Sequence, residues 1–300
     1  MAKVRSQTDV WFEQPPITKQ SGFDPFGEDL PSQGFSHAVD KVFRRMLKKL
    51  EGELVSLEEA GKAELLRQAK EIVKQATGTA FRAEIAAASR NWIAAGYVSG
   101  GELAMLKLRS LRGIDIERIE AAGEAVEAAL SKAVDRAVAK LSDGIGKTFN
   151  VHLRDMLGEG IQKGEPPREL AKRVREWAGK VGDPHRGTRA RSMMIARTES
   201  RRAQVDAQVT SWKASEMVEG NEWLLSPNAC EFCSMVAKSP PVPIGEPFRD
   251  ARNNRKLKLG YTLIGTKGGR MKLNYETIYG PTLHPNCRCD LLPVPVKVGK

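Results

Sequence analysis

Apolar positions recur at helical spacing through the first half of the chain and change to strand-like alternation near its end. From Ser36 to about Leu141 an apolar residue returns every three or four positions among Ala, Glu, Lys, Arg and Leu, which is typical of amphipathic helices. A capping box at 56–59 predicts a helix from Leu57 to about Gln75. Asp115 predicts the cap of a long helix that runs through Leu141. Glycines at 78, 96 and 100–101 predict the helix ends between these two helices, and the region reads as an elongated bundle.

Three further helices are predicted after this region, over about 148–162, 168–178 and 188–217. The second follows Pro166-Pro167, and proline is tolerated in the first turn of a helix. Between the long helix and these three lies Gly144-Ile-Gly-Lys-Thr148, which resembles the end of a phosphate-binding P-loop. The first glycine of that motif and the strand that should precede it are both missing. We therefore interpret the segment as a break between helices.

Strand signals begin near Trp223 and continue beyond a proline-rich stretch. Residues 257–263 and 271–275 alternate between apolar and polar positions around a Gly-rich turn, which predicts a β-hairpin. Residues 239–247 hold four prolines and predict irregular structure. The predicted fold is mainly α, with an elongated helical N-terminal region followed by a smaller α+β C-terminal module that carries a β-hairpin and a zinc site. The predicted domains are a helical domain over 36–147 and a second domain over 148–300, in which helices span 148–217 and a Cys/His β module spans 221–292.

Residues 1–35 have no helical period and contain several prolines and glycines, so they predict an extended or disordered arm. A solvated tail seldom carries many aromatic residues. We therefore expect the arm to pack against the rest of the chain or against a neighbouring subunit. Its five aromatic residues are Trp11, Phe12, Phe23, Phe26 and Phe35.

The four cysteines lie in two short clusters, Cys230-Glu-Phe-Cys233 and His284-Pro-Asn-Cys287-Arg-Cys289. A C-x2-C turn followed by a second Cys/His cluster is typical of structural zinc sites. The four cysteines could form an all-cysteine site, or His284 could replace one of them. Two disulfides are an alternative that needs an oxidising compartment, and the first residues do not resemble a secretory peptide. Buried reduced thiols are the remaining alternative.

The net charge of +11 is concentrated in the half of the chain that holds the cysteines. Residues 151–300 contain 26 Lys and Arg against 16 acidic residues, whereas residues 1–150 contain 22 against 21. A basic module favours an acidic partner such as double-stranded DNA; a solubilising surface is the alternative. Internal ion pairs are the alternative for the arginines of the helix at 188–217. The predicted DNA contacts are Arg189, Arg191, Arg197, Arg201, Arg202, Arg255, Lys256 and Lys258.

Several segments, taken in order, resemble the phage Mu F-like minor head proteins, also called the phage head morphogenesis family. They are Ile195-Ala-Arg-Thr-Glu199, Trp223, Cys230-x2-Cys233 and His284-Pro-Asn-Cys287-Arg-Cys289. The resemblance covers roughly residues 150–292, and its closing Cys/His motif is the most specific part. The basic hairpin between the two cysteine clusters makes their spacing longer than is usual in the family.

The resemblance implies a minor capsid protein with an assembly role, located in the capsid interior of the virion and in the host cytoplasm during assembly. Its implied partners are the portal protein, scaffold or major capsid protein, together with packaged DNA. No apolar run approaches the roughly 20 residues of a membrane span, so no membrane partner is expected.

The alternative function is a metal-dependent nuclease or another DNA-processing enzyme. A zinc deaminase would need an H-x-E motif ahead of its C-x2-C, and H-x-E does not occur in this sequence. A zinc ion held by four protein ligands also lacks an open position for substrate. We therefore predict a structural protein and no catalytic residues.

Overall fold

The computed structural model describes residues 30–57, 61–111, 115–179, 188–266, 268–273, 278–285 and 287–296. The described residues are mainly helical (66%) with a small C-terminal strand region, so the predicted fold class is confirmed. Most of the predicted arm lies outside the described residues. Helix α1 nevertheless begins at Leu30 and Phe35 is fully buried, so the prediction that the extended arm reaches residue 35 is wrong.

The described helices account for most of the chain. Their bounds are α1 Leu30–Val55, α2 Lys62–Ala76, α3 Thr79–Arg109, α4 Ile116–Ala121, α5 Gly123–Gln162, α6 Pro167–Gly179, α7 Thr188–Ser215 and α8 Glu231–Val236. Helices α6 and α7 agree with the predicted helices at 168–178 and 188–217. Within the described residues, 92–137 and 197–296 form one compact unit, and 30–91 and 138–196 form a second.

The predicted break at 144–148 is wrong, because α5 runs through it without interruption. A glycine inside a helix costs only about 1 kcal/mol relative to alanine. That cost is offset by an unbroken apolar stripe that α5 buries on both sides of the glycines. The stripe consists of Leu141, Ile145, Phe149, Leu153, Leu157 and Ile161. Residues 147 and 148, between which the sequence placed a domain boundary, lie within this helix.

Helix α3 likewise continues through Gly96 and Gly100-Gly101, where the sequence predicted helix ends. A Cβ atom at Gly96 would lie only 2.9 Å from the Cβ of Ala203 on α7. These glycines therefore serve close helix packing in the first unit, and they do not end the helix.

Two predicted helix starts are also corrected. Helix α1 extends to Val55, and the hydroxyl of Ser56 donates to the Glu53 carbonyl at 2.8 Å. Ser56 therefore does not begin a helix, and α2 starts at Lys62. The carboxylate of Asp115 does accept from the Glu117 amide, as expected of an N-cap, but the helix it caps is the short α4.

Strands occur only in the first unit among the described residues. Their bounds are β1 Val218–Leu224, β2 Val242–Pro243, β3 Arg249–Asp250, β4 Arg255–Lys256, β5 Thr262–Ile264, β6 Arg270–Lys272 and β7 Asp290–Pro295. An antiparallel sheet has the order β2-β1-β7, and β3–β4 and β5–β6 form two separate two-stranded ladders. The predicted hairpin is confirmed as β5–β6. The stretch 239–247 is not wholly irregular, because β2 pairs with β1 at the sheet edge, where proline is tolerated.

Candidate metal centre

The first cysteine cluster folds into a turn that begins helix α8. Cys230 is the N-cap of α8, and its Sγ accepts a hydrogen bond from the backbone N–H of Cys233 at 3.4 Å. One turn of helix therefore places both sulfurs on the same side. Cys233 is fully buried, whereas Cys230 is half-buried.

The second cluster reaches the first because of the register between β1 and β7. Leu224, the last residue of β1, pairs with Asp290, the first residue of β7. Cys289 precedes Asp290 directly, and β1 leads into the turn at Cys230. The antiparallel pairing therefore brings the two clusters together across a gap of fifty residues in the sequence.

Five potential metal ligands converge at this point. The Nε2 atom of His284 lies 3.2 Å from the Sγ of Cys230 and 3.5 Å from the Sγ of Cys233. The sulfurs of Cys233 and Cys287 are 3.7 Å apart. The donor atoms of Cys233, Cys287 and Cys289 all lie within 4.8 Å of one another. The predicted convergence of the five groups is confirmed, and together they could hold a metal ion.

Proton sharing among these groups favours cation binding. Hydrogen bonding to Cys233 and then to His284 lowers the pKa of Cys230 to about 4. Hydrogen bonding to Cys233 and Cys289 lowers the pKa of Cys287, whereas the hydrogen bond with Cys230 raises the pKa of Cys233. Cys230 and Cys287 are therefore the more acidic sulfurs of the cluster. A metal ion would replace the shared protons, since thiolates are the ligand form.

A buried polar network fixes the strand that follows the second cluster. Lys107 on α3 donates to the Asp290 carboxylate at 2.8 Å, to the Leu291 carbonyl at 2.6 Å and to the Gln208 side chain at 2.7 Å. Arg201 on α7 donates to the carbonyl of Cys289 at 2.7 Å. Sequence reasoning did not find Lys107, Gln208 or Asp290 as site residues. Their type and spacing carry no signal, although Asp290 directly follows the cysteine motif.

The predicted DNA contacts on α7 do not form one exposed surface. Arg191 is 2% exposed and its guanidinium lies 5.1 Å from the Phe149 ring and 5.0 Å from the Trp177 ring. Burial lowers the pKa of Arg191 to about 10. Arg201 is 8% exposed and donates to the backbone carbonyl of Cys289. The prediction of direct phosphate contact is wrong for Arg191, whose guanidinium nitrogens are buried. It is not supported for Arg201, which is largely buried and donates to a backbone carbonyl.

Of the other predicted DNA contacts, some form ion pairs and some are exposed. Arg202 pairs with Glu199 at 2.7 Å, in agreement with the alternative of internal ion pairing, and Arg197 is exposed. The side chain of Arg189 lies outside the described residues. Near the hairpin, Arg255, Lys256 and Lys258 are exposed, and Lys256 pairs with Glu246 at 2.6 Å.

Protein-family models, curated proteins and solved structures include no match to this chain. The resemblance carried by the motifs therefore stays a prediction. Among the described helices, none is long and apolar enough to cross a membrane.

Proposed function

We propose that the chain is a minor head protein of a tailed bacteriophage whose C-terminal module is closed by one structural zinc ion. The observation that carries the proposal is the convergence of the two motif segments, Cys230–Cys233 and His284–Cys289, at one point of the fold. The ligands we assign are Cys230, Cys233, His284 and Cys287.

Three of the six separations among the assigned donor atoms are close to those around a tetrahedral zinc ion. Zn–S and Zn–N bonds of about 2.3 and 2.05 Å give tetrahedral edges of about 3.8 Å between two sulfurs and about 3.6 Å between sulfur and nitrogen. The separations are 3.7 Å for Cys233–Cys287, 3.5 Å for Cys233–His284 and 3.2 Å for Cys230–His284. Cys233 belongs to both close groups of donor atoms, one with Cys230 and His284 and the other with Cys287 and Cys289. We choose three cysteines and the histidine over an all-cysteine site because His284 lies within 3.5 Å of two of the sulfurs.

The chemistry of this ligand set favours a structural role. Four protein ligands leave no open coordination position for substrate or water. The ion would tie the two ends of residues 234–283 to one point, in a module whose strands are short. A structural zinc ion contributes directly to the folding free energy of such a module.

The assembly role rests on the order and the spatial arrangement of the motif segments. Helix α7 carries the Ile195–Glu199 segment, and Arg201, two residues further on, donates to Cys289 of the closing motif. The segments that resemble the Mu F-like proteins thus belong to neighbouring parts of the fold. The proposed partners are the portal, scaffold or major capsid protein and packaged double-stranded DNA. The proposed location is the capsid interior.

Metal analysis of the purified chain tests the zinc assignment. We expect one zinc per chain in the wild type and in Cys289→Ser, and a loss of zinc in Cys287→Ser and His284→Ala. Cysteine-to-serine replacement keeps the size of the side chain, so Cys289→Ser is the matched control for Cys287→Ser. Zinc retained by His284→Ala and lost from Cys289→Ser would identify an all-cysteine site. Absence of metal from the wild type would overturn the structural-zinc proposal.

Quantitative mass spectrometry of particles from a phage that encodes this chain tests the head assignment. A low and definite copy number relative to the major capsid protein, in precursor or filled heads, is the expected result. Absence from both kinds of particle would overturn the assignment.

A further inference from the structure

The segment between the two cysteine clusters carries a concentrated positive charge. We call residues 249–272, which contain the ladders β3–β4 and β5–β6, the basic platform. The platform contains eight Lys and Arg and one acidic residue, Asp250. The proposed zinc site does not use any of these side chains.

The one carboxylate of the platform, on Asp250, is paired inside it, so the surface of the platform remains positive. Its carboxylate is fully buried and accepts hydrogen bonds from Arg252 at 2.8 Å and from the hydroxyl of Tyr261 at 2.8 Å. Arg252 also donates to the Ile264 carbonyl at 2.5 Å. These hydrogen bonds join the β3–β4 turn to β5 and so hold the two ladders together.

Strand alternation places the remaining cations on the solvent side. Leu263 and Met271 pair across β5–β6 and are buried, so the neighbouring Arg270 and Lys272 are exposed. Arg255 and Lys258 are exposed as well. Within the described residues, no hydrogen bond or ion pair engages the side chains of these four cations.

We propose that the basic platform binds the phosphate backbone of double-stranded DNA through Arg255, Lys258, Arg270 and Lys272. Guanidinium and ammonium groups are the usual phosphate donors, and backbone contacts of this kind are independent of sequence. An acidic protein surface is a weaker match, since protein interfaces are centred on buried apolar and aromatic anchors. The large exposed apolar side chains of the platform are only Leu259 and Ile264. The inference rests on the proposed function for the source of the DNA.

The platform is supported by the helix that carries the first metal ligands. Thr266 in the β5–β6 turn donates to the carboxylate of Glu231 on α8 at 3.1 Å. A Cβ at Gly269 would lie 3.4 Å from the ring of Phe232, which shows how closely the turn approaches α8. Strand β3 also contacts α8. Because Cys230 caps α8, metal binding should hold the platform in place, and DNA affinity should therefore depend on the metal.

Fluorescence anisotropy with a mixed-sequence duplex of about 30 base pairs tests the proposal through its salt dependence. Four phosphate contacts predict a slope of log K against log salt of about −3.6, equivalent to an affinity loss of about 150-fold between 50 and 200 mM salt. The double variant Arg270→Gln/Lys272→Gln should make the slope less steep by about 1.8, because two phosphate contacts are lost. Arg255→Gln/Lys258→Gln should do the same. Lys48→Gln/Lys70→Gln removes two exposed cations elsewhere and is the matched control. Chelation of the metal should weaken binding by the wild type.

The opposite results are equally specific. An unchanged slope in both platform variants overturns the assignment of the surface, and equal affinity of the chelated protein overturns its dependence on metal. Binding to poly-glutamate and not to DNA overturns the choice of nucleic acid and indicates an acidic protein partner. Failure to bind either polymer overturns the inference. The copy number in particles is measured independently of DNA binding. Failure of the DNA-binding inference can therefore be distinguished from failure of the proposed head function.

Discussion

Replacement of Gly100 by alanine tests the interpretation of the α3 glycines as packing residues. A Cβ at Gly100 would lie 2.7 Å from the Cα of Gln204 and 2.8 Å from the Cβ of Ala207, and it would overlap the carbonyl oxygen of Gln204. Two of these contacts are with the backbone of α7, which cannot rotate away as a side chain could. The alanine variant must therefore push the two helices apart.

The expected change is the sum of two opposing effects. Alanine favours the helix over glycine by about 1 kcal/mol, whereas overpacking of a tight contact costs about 1–3 kcal/mol and occasionally more. Because all three close atoms belong to backbone or to a Cβ, we place the cost at the upper end. Gly100→Ala should lower the free energy of unfolding by about 1–2 kcal/mol, with a fall in Tm of about 2–4 °C per kcal/mol.

Urea denaturation followed by tryptophan fluorescence measures the change in the free energy of unfolding, and one tryptophan lies at the α3–α7 contact. The indole N–H of Trp212 on α7 donates to the carbonyl of Ala104 on α3 at 3.2 Å, so its emission should report on this pair of helices. Gly144→Ala on α5 is the matched control, because no atom lies within 4 Å of its added Cβ. The control should be stabilised by up to about 1 kcal/mol. If Gly100→Ala were as stable as the control, the close-packing argument would be refuted.

Three further predictions concern other parts of the chain. Lys107→Ala should reduce the free energy of unfolding by about 2–3 kcal/mol, because the Leu291 carbonyl and the Gln208 oxygen lose their charged donor; a loss below about 0.5 kcal/mol, typical of a neutral surface change, would contradict this. The hydrogen bonds of Arg252 lower the pKa of Asp250 to about 2, against about 3.9 in an unfolded chain. This stabilisation is therefore fully present above about pH 5 and is lost as the pH falls through 2 to about pH 1. The stability difference between wild type and Asp250→Asn in urea should accordingly shrink by about 2.5 kcal/mol over that interval, and a constant difference would exclude the carboxylate as its source. Deletion of residues 1–29 should leave the thermal unfolding midpoint unchanged and reduce incorporation into particles; normal incorporation would remove the predicted clasping role of the arm.

Local patterns were sufficient to predict α6, α7 and the β5–β6 hairpin. Helical periodicity and strand alternation depend only on neighbouring residues, so Pro167–Gly179 and Thr188–Ser215 could be found from the sequence. Glycines misled the prediction at Gly144 and Gly100. In isolation a glycine weakens a helix, but the long apolar stripe of α5 and the close approach of α7 to α3 outweigh that local preference.

The arginines of α7 show why residue type does not identify an interface. In the sequence Arg191, Arg201 and Arg202 read alike as phosphate donors. In the structure the first is buried against aromatic rings, the second donates to Cys289, and the third pairs with Glu199. Burial and pairing depend on what the other elements bring to each position.

The sequence alone determined that two Cys/His clusters exist and that a basic hairpin lies between them, because ligand type, spacing and charge are properties of the chain itself. Only the tertiary structure decided that the clusters meet, since the pairing of β1 with β7 acts across a long separation in the sequence. It also decided which cations remain on the surface, because exposure follows from packing and cannot be read from charge. The short distances from His284 to Cys230 and Cys233, on which the proposed ligand set rests, exist only once those elements are folded together.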